Sequence, residues 1–278
     1  NVCVLEKALP GGQVSTAYKI SNLIGYPDGI LGENLALKME EQLNEHTYFY
    51  SCESVSDISD QKSFKTVHTD LGAIYKAKAV LITVGLDPKE LNTDFEKHFV
   101  GRGISYYAQG DVDLHKGQDV AVIGGGNCAC YAAEYLSHYV NKLYLIHRSD
   151  HIKAVKKLKN RIFNNPKIDV MWDSDIEDVF GIENVEKIKI RNVINDQHTW
   201  LDVQGVFVYV GRKPPEVQLN LNIDTDEEGF IVTDEYMRTS VPGIYAAGDI
   251  RVKQIRQIAT AISDGMIAAI NIDRDLQR

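Results

Sequence analysis

The residues whose types and spacing could do chemistry begin with Gly124, Gly126 and Ala129, a Gly-x-Gly-x-x-Ala series between 119–123, which reads as a buried strand, and a helical segment that opens at Asn127. Strand, glycine turn and helix in that order form the local unit that a dinucleotide requires. Glycines let backbone N–H groups approach a pyrophosphate, the small alanine lets helix and strand pack closely, and the helix N-terminus faces the negative charge. The following strand, 142–146, ends in His147 and Arg148, with Lys153 a few residues on. An acid at that strand end would suit the free ribose hydroxyl of NAD, whereas basic groups suit the 2′-phosphate of NADP. Glu6 closes an earlier strand, 2–6, and is an acid of the ribose-binding type. Such an acid lies about 20 residues after its glycine turn, so a first strand and turn are expected upstream, in roughly 25 to 35 residues before residue 1.

Thiol chemistry has few openings. The four cysteines, Cys3, Cys52, Cys128 and Cys130, are scattered and form no disulfide framework, so a reducing cytoplasm is the expected location. In a helix, Cys128 and Cys130 stand about 200° apart, on nearly opposite faces. A disulfide needs Cβ atoms about 3.8 Å apart, so the two are expected to be small core fillers rather than a redox pair.

The elements that must position these groups follow from periodicity. At 278 residues the chain can hold two domains with separate cores. Residues 33–43 carry apolar side chains at helical spacing, 48–70 alternate as an antiparallel meander, and 79–85 form a continuous apolar strand ending in Gly85. A basic helix is expected over 153–164, strands over 168–172, 184–193 and 205–210, and a return crossing at 210–215, where glycine and two prolines stop any regular element. The net charge of -9 and pI near 5.4 argue against a nucleic-acid partner. No apolar run reaches the roughly 18 residues of a membrane span, and no signal peptide is expected.

Several further segments carry a family resemblance. Gly11, Gly12 and Gln13, followed by Asn22, resemble the flavin-side loop of the bacterial-type, low-molecular-weight thioredoxin reductases, which are FAD-dependent pyridine nucleotide-disulfide oxidoreductases. Thr83 and Gly85 stand at the family's Ala-Thr-Gly strand end. Gly248 and Asp249 resemble the Gly-Asp turn that puts a carboxylate on the flavin ribityl chain. Arg256, Gln257 and Ile258 resemble the Arg-Gln-Ala element that opens the last helix, whose N-terminus favours negative charge on a reduced flavin. The segment 101–111 is similar to the one that carries the family's redox Cys-x-x-Cys-Asp. Here its cysteine positions hold Tyr107 and Gly110, and only Asp111 is kept.

The resemblance implies an α/β chain of two Rossmann-like three-layer dinucleotide-binding domains. An FAD domain would comprise 1–89 and 213–278, with an NAD(P) domain, 90–212, inserted in it. It implies an enzyme that takes electrons from NAD(P)H through FAD to an external acceptor, either a small molecule or a small redox protein, with Asp111 as proton donor. A homodimer is also implied. NADP binding is expected to be weaker than in the family, because Ser149 and Lys153 stand where arginines are usual and one lost charge-assisted contact costs about 1.5 to 3 kcal/mol. Tyr131 replaces a usual Glu and would stack on or block the nicotinamide, or sit in the core. Two alternatives remain open: a ferredoxin-linked reductase that ignores NADPH, and a non-enzymatic FAD-binding or regulatory protein.

Overall fold

The computed structural model describes residues 1–44, 47–61, 63–215 and 220–277. Its helices are α1 (Gly12–Ser15), α2 (Gly32–Asn44), α3 (Asp94–Phe99), α4 (Ala108–Asp111), α5 (Asn127–Ser137), α6 (Lys156–Phe163) and α7 (Ile258–Leu276). The chain divides into two compact units, Asn1–Asp87 with Lys213–Arg278, and Pro88–Arg212. Among the described residues no helix is long and apolar enough to cross a membrane.

The continuous unit is built around Asp119–Ile123. Strands covered on both faces read as unbroken apolar runs, and this one lies at the centre of a five-stranded parallel sheet. The order is Ile104–Ser105, Gly205–Val208, Asp119–Ile123, Lys142–Ile146, Ile168–Met171. Alternation then assigns the two faces. Val120, Val122, Leu143 and Leu145 pack on Ala129, Cys130, Ala133 and Leu136 of α5 and on Leu158 and Ile162 of α6. Ala121, Ile123, Ile146, Val206 and Val208 pack instead on Val179, Ile188 and Ile190. Those last residues belong to an antiparallel sheet of Ser174–Phe180, Lys187–Asn192 and His198–Asp202, whose outer two strands the sequence pattern did not reveal. Each fully buried Leu or Ile contributes about 1.5 to 3 kcal/mol.

The α/β, Rossmann-like fold class read from the sequence holds, with adjustments at element ends. Helix α6 begins at Lys156 rather than 153, because the Asn127 Oδ1 accepts the Val155 N–H at 3.0 Å and Val155 stays extended as the N-cap.

In the discontinuous unit, Cys3–Leu5 pairs in parallel with Tyr48–Tyr50, and Val80–Ile82 pairs in parallel with Ile244–Ala246. Among the described residues these are separate sheets. The antiparallel meander is Val55–Asp60, Lys65–Thr69 and Ile74–Ala77. Tyr48–Tyr50 therefore lies outside the meander expected over 48–70: left-handed Cys52, at φ 58°, turns the chain between the two. Ile82, Ile244 and Ala246 face Ile58, Val67 and Ile231, while Leu81 and Ala247 face Ala268 and Ile267 of α7. Meander, parallel strands and helix thus make three layers. The strand expected over 79–85 is only Val80–Ile82. Gly85 takes φ +65°, and Thr83 is exposed beyond the strand end.

Candidate dinucleotide and redox sites

The parallel register puts Ile123 opposite Ile146, so the glycine turn and the His147 loop leave the sheet side by side. The Gly124 N–H donates to the Ile146 carbonyl at 2.9 Å. Gly124 has φ +140°, and a Cβ there would lie 2.4 Å from the Tyr209 carbonyl oxygen and 3.1 Å from the Ala129 Cβ. Only glycine fits there, and Ala129 beside it is fully buried. At Gly126 a Cβ would meet nothing within 4 Å, and α5, which follows it, has no side-chain cap. The first N–H groups of an uncapped helix carry partial positive charge and need acceptors. The turn is therefore tight toward the sheet and open at the helix start.

The His147 ring covers Gly125, where a Cβ would come within 2.5 Å of three of its atoms. Its Nε2 is buried and has no hydrogen-bond partner among the described residues. Burial, with the charges of His151, Arg148 and Lys153, pulls His147 below the usual histidine range, against an opposing hydrogen bond with the His151 backbone. Arg148 and Lys153 are exposed, and the Lys153 N–H donates to the Gly125 carbonyl at 2.8 Å. Tyr131 packs against the helical core, with the Arg161 guanidinium 6.0 Å from its ring centre.

Hydrogen bonds hold the segment 105–111. Ser105 Oγ donates to Asp111 Oδ2 at 2.6 Å and accepts the Tyr107 N–H at 2.9 Å. Tyr209 Oη accepts the Ala108 N–H at 3.1 Å. Burial pushes Tyr209 up to about 12, so the phenol stays protonated at neutral pH. The Tyr107 ring lies across Gly110: a Cβ at 110 would be 2.4 Å from Cδ1 and 2.5 Å from Cε1. Ser105 and Tyr209 are partners that motif spacing did not single out. All four cysteines are free; Cys130 is buried and pushed up to about 11 by desolvation, while Cys128 is exposed, so only one of the two is the core filler expected of both, because the helical offset turns the other to the outer face.

In the discontinuous unit, the Glu6 carboxylate accepts the Ala8 N–H at 3.0 Å at the end of the first strand. Gly11, at φ +111°, has no room for a Cβ because Ala36 would be 2.5 Å away, whereas Gly12 faces open space. Gln13 Nε2 donates to the Leu86 carbonyl at 3.2 Å and lies 3.6 Å from where a Gly85 Cβ would be. The loop carrying Gln13 and the end of the Val80–Ile82 strand are thereby brought together. Asn22 Nδ2 donates to Gln257 Oε1 at 2.7 Å across 235 residues of sequence. Gln257 is the N-cap of α7, so the helix starts at Ile258, two residues after Arg256. Arg256 Nε donates to the Asp249 carbonyl at 3.2 Å, and its guanidinium sits 4.1 Å from the Phe230 ring centre. Gly248 takes φ +82°, and its N–H donates to Asp264 Oδ2 at 3.1 Å. Asp264 also went unread in the sequence, although an acid inside the apolar stretch of α7 was its signal.

The family model described as pyridine nucleotide-disulphide oxidoreductase matches residues 1–265. The chain belongs to that family. Within the pyridine nucleotide-disulphide oxidoreductases it is similar over nearly its whole length to bacterial thioredoxin reductases. That of Listeria innocua is 38% identical over 273 residues, covering 98% of this chain and 85% of its own. Two solved structures agree. Lactococcus lactis thioredoxin reductase in the FR conformation has a TM-score of 0.92 at 34% identity, covering 98% and 89% of the two chains. The T. acidophilum enzyme has a TM-score of 0.94 at 30% identity, covering 100% and 91%. The thioredoxin reductases of this oxidoreductase family use FAD and NADPH.

Proposed function

We propose that this chain is a thioredoxin reductase-like FAD oxidoreductase that passes electrons from NAD(P)H to an external acceptor without an internal dithiol. The observation that carries the proposal is the packing of Tyr107 on Gly110, the two positions where the resemblance puts the redox cysteines. A ring and a hydrogen atom fill that site, and backbone N–H groups donating to Ser105 and Tyr209 hold its backbone.

The residues present fit the two cofactors. Gly124, Gly126, Asn127 and Ala129 form the proposed nicotinamide-dinucleotide turn, supported by the open α-carbon of Gly126, the uncapped start of α5 and the unpartnered His147 Nε2. Arg148 and Lys153 are proposed for a 2′-phosphate, and their exposure is consistent with reaching a solvent-side ligand. On the FAD side, Gly11, Gly12 and Gln13 would lie along the ring, with Asn22, Thr83 and Gly85 beside it. Glu6 would accept ribose hydroxyls, and Gly248 and Asp249 would bind the ribityl chain. Arg256, Gln257 and Ile258 would present the start of α7 to the ring, and the Asn22–Gln257 bond supports a single preformed site. These residues would hold FAD, which when bound would supply hydride acceptance from the nicotinamide and two-electron delivery to the acceptor. Asp111, oriented by Ser105, is the proposed proton donor to that acceptor.

A homodimer is part of the proposal. Ile262, Met266 and Ile270 are 43%, 61% and 50% exposed on α7 at intervals of four residues, which makes one uncovered apolar stripe. A reducing compartment is proposed as the location. Anaerobic mixing with NADPH, NADH or reduced ferredoxin, followed by absorbance at the flavin band, tests the donor. Bleaching by a nicotinamide with no turnover of thioredoxin is the expected result. Bleaching by ferredoxin alone would replace the donor, and no bleaching by any donor would favour the regulatory alternative.

A further inference from the structure

A buried charge cluster joins the Gly248 turn to α7. Asp264 is 7% exposed. Its Oδ1 accepts Arg251 Nη1 at 3.1 Å, while Oδ2 accepts Lys253 Nζ at 2.7 Å and the Gly248 N–H. The Lys253 and Arg251 side chains are themselves 9% and 15% exposed, and Arg251 Nε donates to Thr233 Oγ1 at 2.9 Å. Two nearly buried cations thus share one buried carboxylate. A buried ion is strongly disfavoured unless it is paired and hydrogen-bonded, and pinning a turn to a helix needs only one pair. Burial alone would raise the Asp264 carboxyl, but Lys253, Arg251 and the Gly248 N–H hold it below its usual range, so it is ionised.

We propose that Asp264 is a positioning residue for the flavin site. It fixes the Gly248–Asp249 turn on the second turn of α7, and its charge balance with Arg251 and Lys253 tunes the flavin's reduction. This rests on the FAD reading above. Reduction adds negative charge to the flavin, so a more positive surrounding favours the reduced form. Asp264→Asn keeps the shape of the side chain and removes the compensating charge. Lys253→Met removes one cation and leaves Asp264 paired with Arg251.

The test is the two-electron midpoint potential of the FAD-loaded, full-length protein, with flavin affinity measured by fluorescence. Asp264→Asn is expected to shift the oxidised/reduced equilibrium about tenfold toward the reduced form, a rise of about 30 mV. Lys253→Met is expected to shift it about tenfold the other way. If Lys253→Met does not fold, Arg251→Met carries the same expected sign. Shifts of one sign, or none, with flavin still bound would overturn the tuning role and leave a structural pin. A wild-type protein that takes up no added FAD would overturn the flavin reading, and this inference with it.

Discussion

The Tyr107 ring lies over the α-carbon of Gly110, close enough that a Cβ at 110 would stand 2.4 Å from Cδ1. Restoring one cysteine without the other is therefore predicted to fail. Gly110→Cys alone should cost about 1 kcal/mol, the low end of overpacking, because Tyr107 is 38% exposed and its ring can swing outward. In Tyr107→Cys with Gly110→Cys, the clash is gone and the pair can close a disulfide. Urea midpoints check the first statement, and a loss of two titratable thiols on oxidation checks the second. Additive costs in the double variant would contradict it.

Gly124 and Gly126 separate fold from ligand. Gly124→Ala strains a φ of +140° and meets the Tyr209 carbonyl, so a loss of about 1 to 3 kcal/mol of stability is expected. Gly126→Ala meets nothing and its φ of -86° suits any residue. Its melting temperature should stay put while nicotinamide-dinucleotide affinity falls, as read by calorimetry.

Tyr209 predicts an alkaline limb. Its folded pKa, about 12, lies above the unfolded value of 10, so the neutral phenol contributes stability that is complete below pH 10 and lost as pH rises through about 12. Tyr209→Phe should flatten that part of the stability curve relative to wild type. At neutral pH it should lose about 1 to 3 kcal/mol, since the Ala108 N–H is left without its acceptor. Denaturant titrations at several pH values provide the comparison.

Thiol labelling should be uneven. Cys3, Cys52 and Cys128 are exposed and Cys130 is buried with a pKa near 11, and the thiolate is the reactive form. Cys52 and Cys128 are expected to react quickly with a disulfide reagent, Cys3 more slowly because burial and the Glu53 carboxylate push its thiol up, and Cys130 only on unfolding. Rapid labelling of Cys130 in the native state would contradict its placement.

Donor choice should be adjustable at the end of the second strand. Ser149→Arg adds one charge-assisted contact to a 2′-phosphate, worth about 1.5 to 3 kcal/mol, and is expected to tighten NADPH by very roughly 10- to 150-fold without changing NADH. Arg148→Ala should do the reverse. Equal effects on both nucleotides would place these side chains elsewhere.

Local information was enough for the sequence to determine the glycine turn, the opposite faces of Cys128 and Cys130 and the buried strand at 119–123. Backbone freedom, a 3.6-residue period and an unbroken apolar run are properties of neighbouring residues. The family, too, was legible, because Gly248, Asp249, Arg256 and Gln257 keep a recognisable spacing. Tertiary structure alone decided the partners. Tyr48–Tyr50 alternates like a meander strand, yet it pairs in parallel with Cys3–Leu5, since alternation specifies a face and not a neighbour. Asn22 finds Gln257, Tyr209 finds Ala108 and Asp264 finds Lys253 through chain crossings that no spacing rule encodes. Those contacts set which groups are fixed, buried or charged, because hydrogen bonds and ion pairs act over a few ångströms of space whatever the distance along the chain.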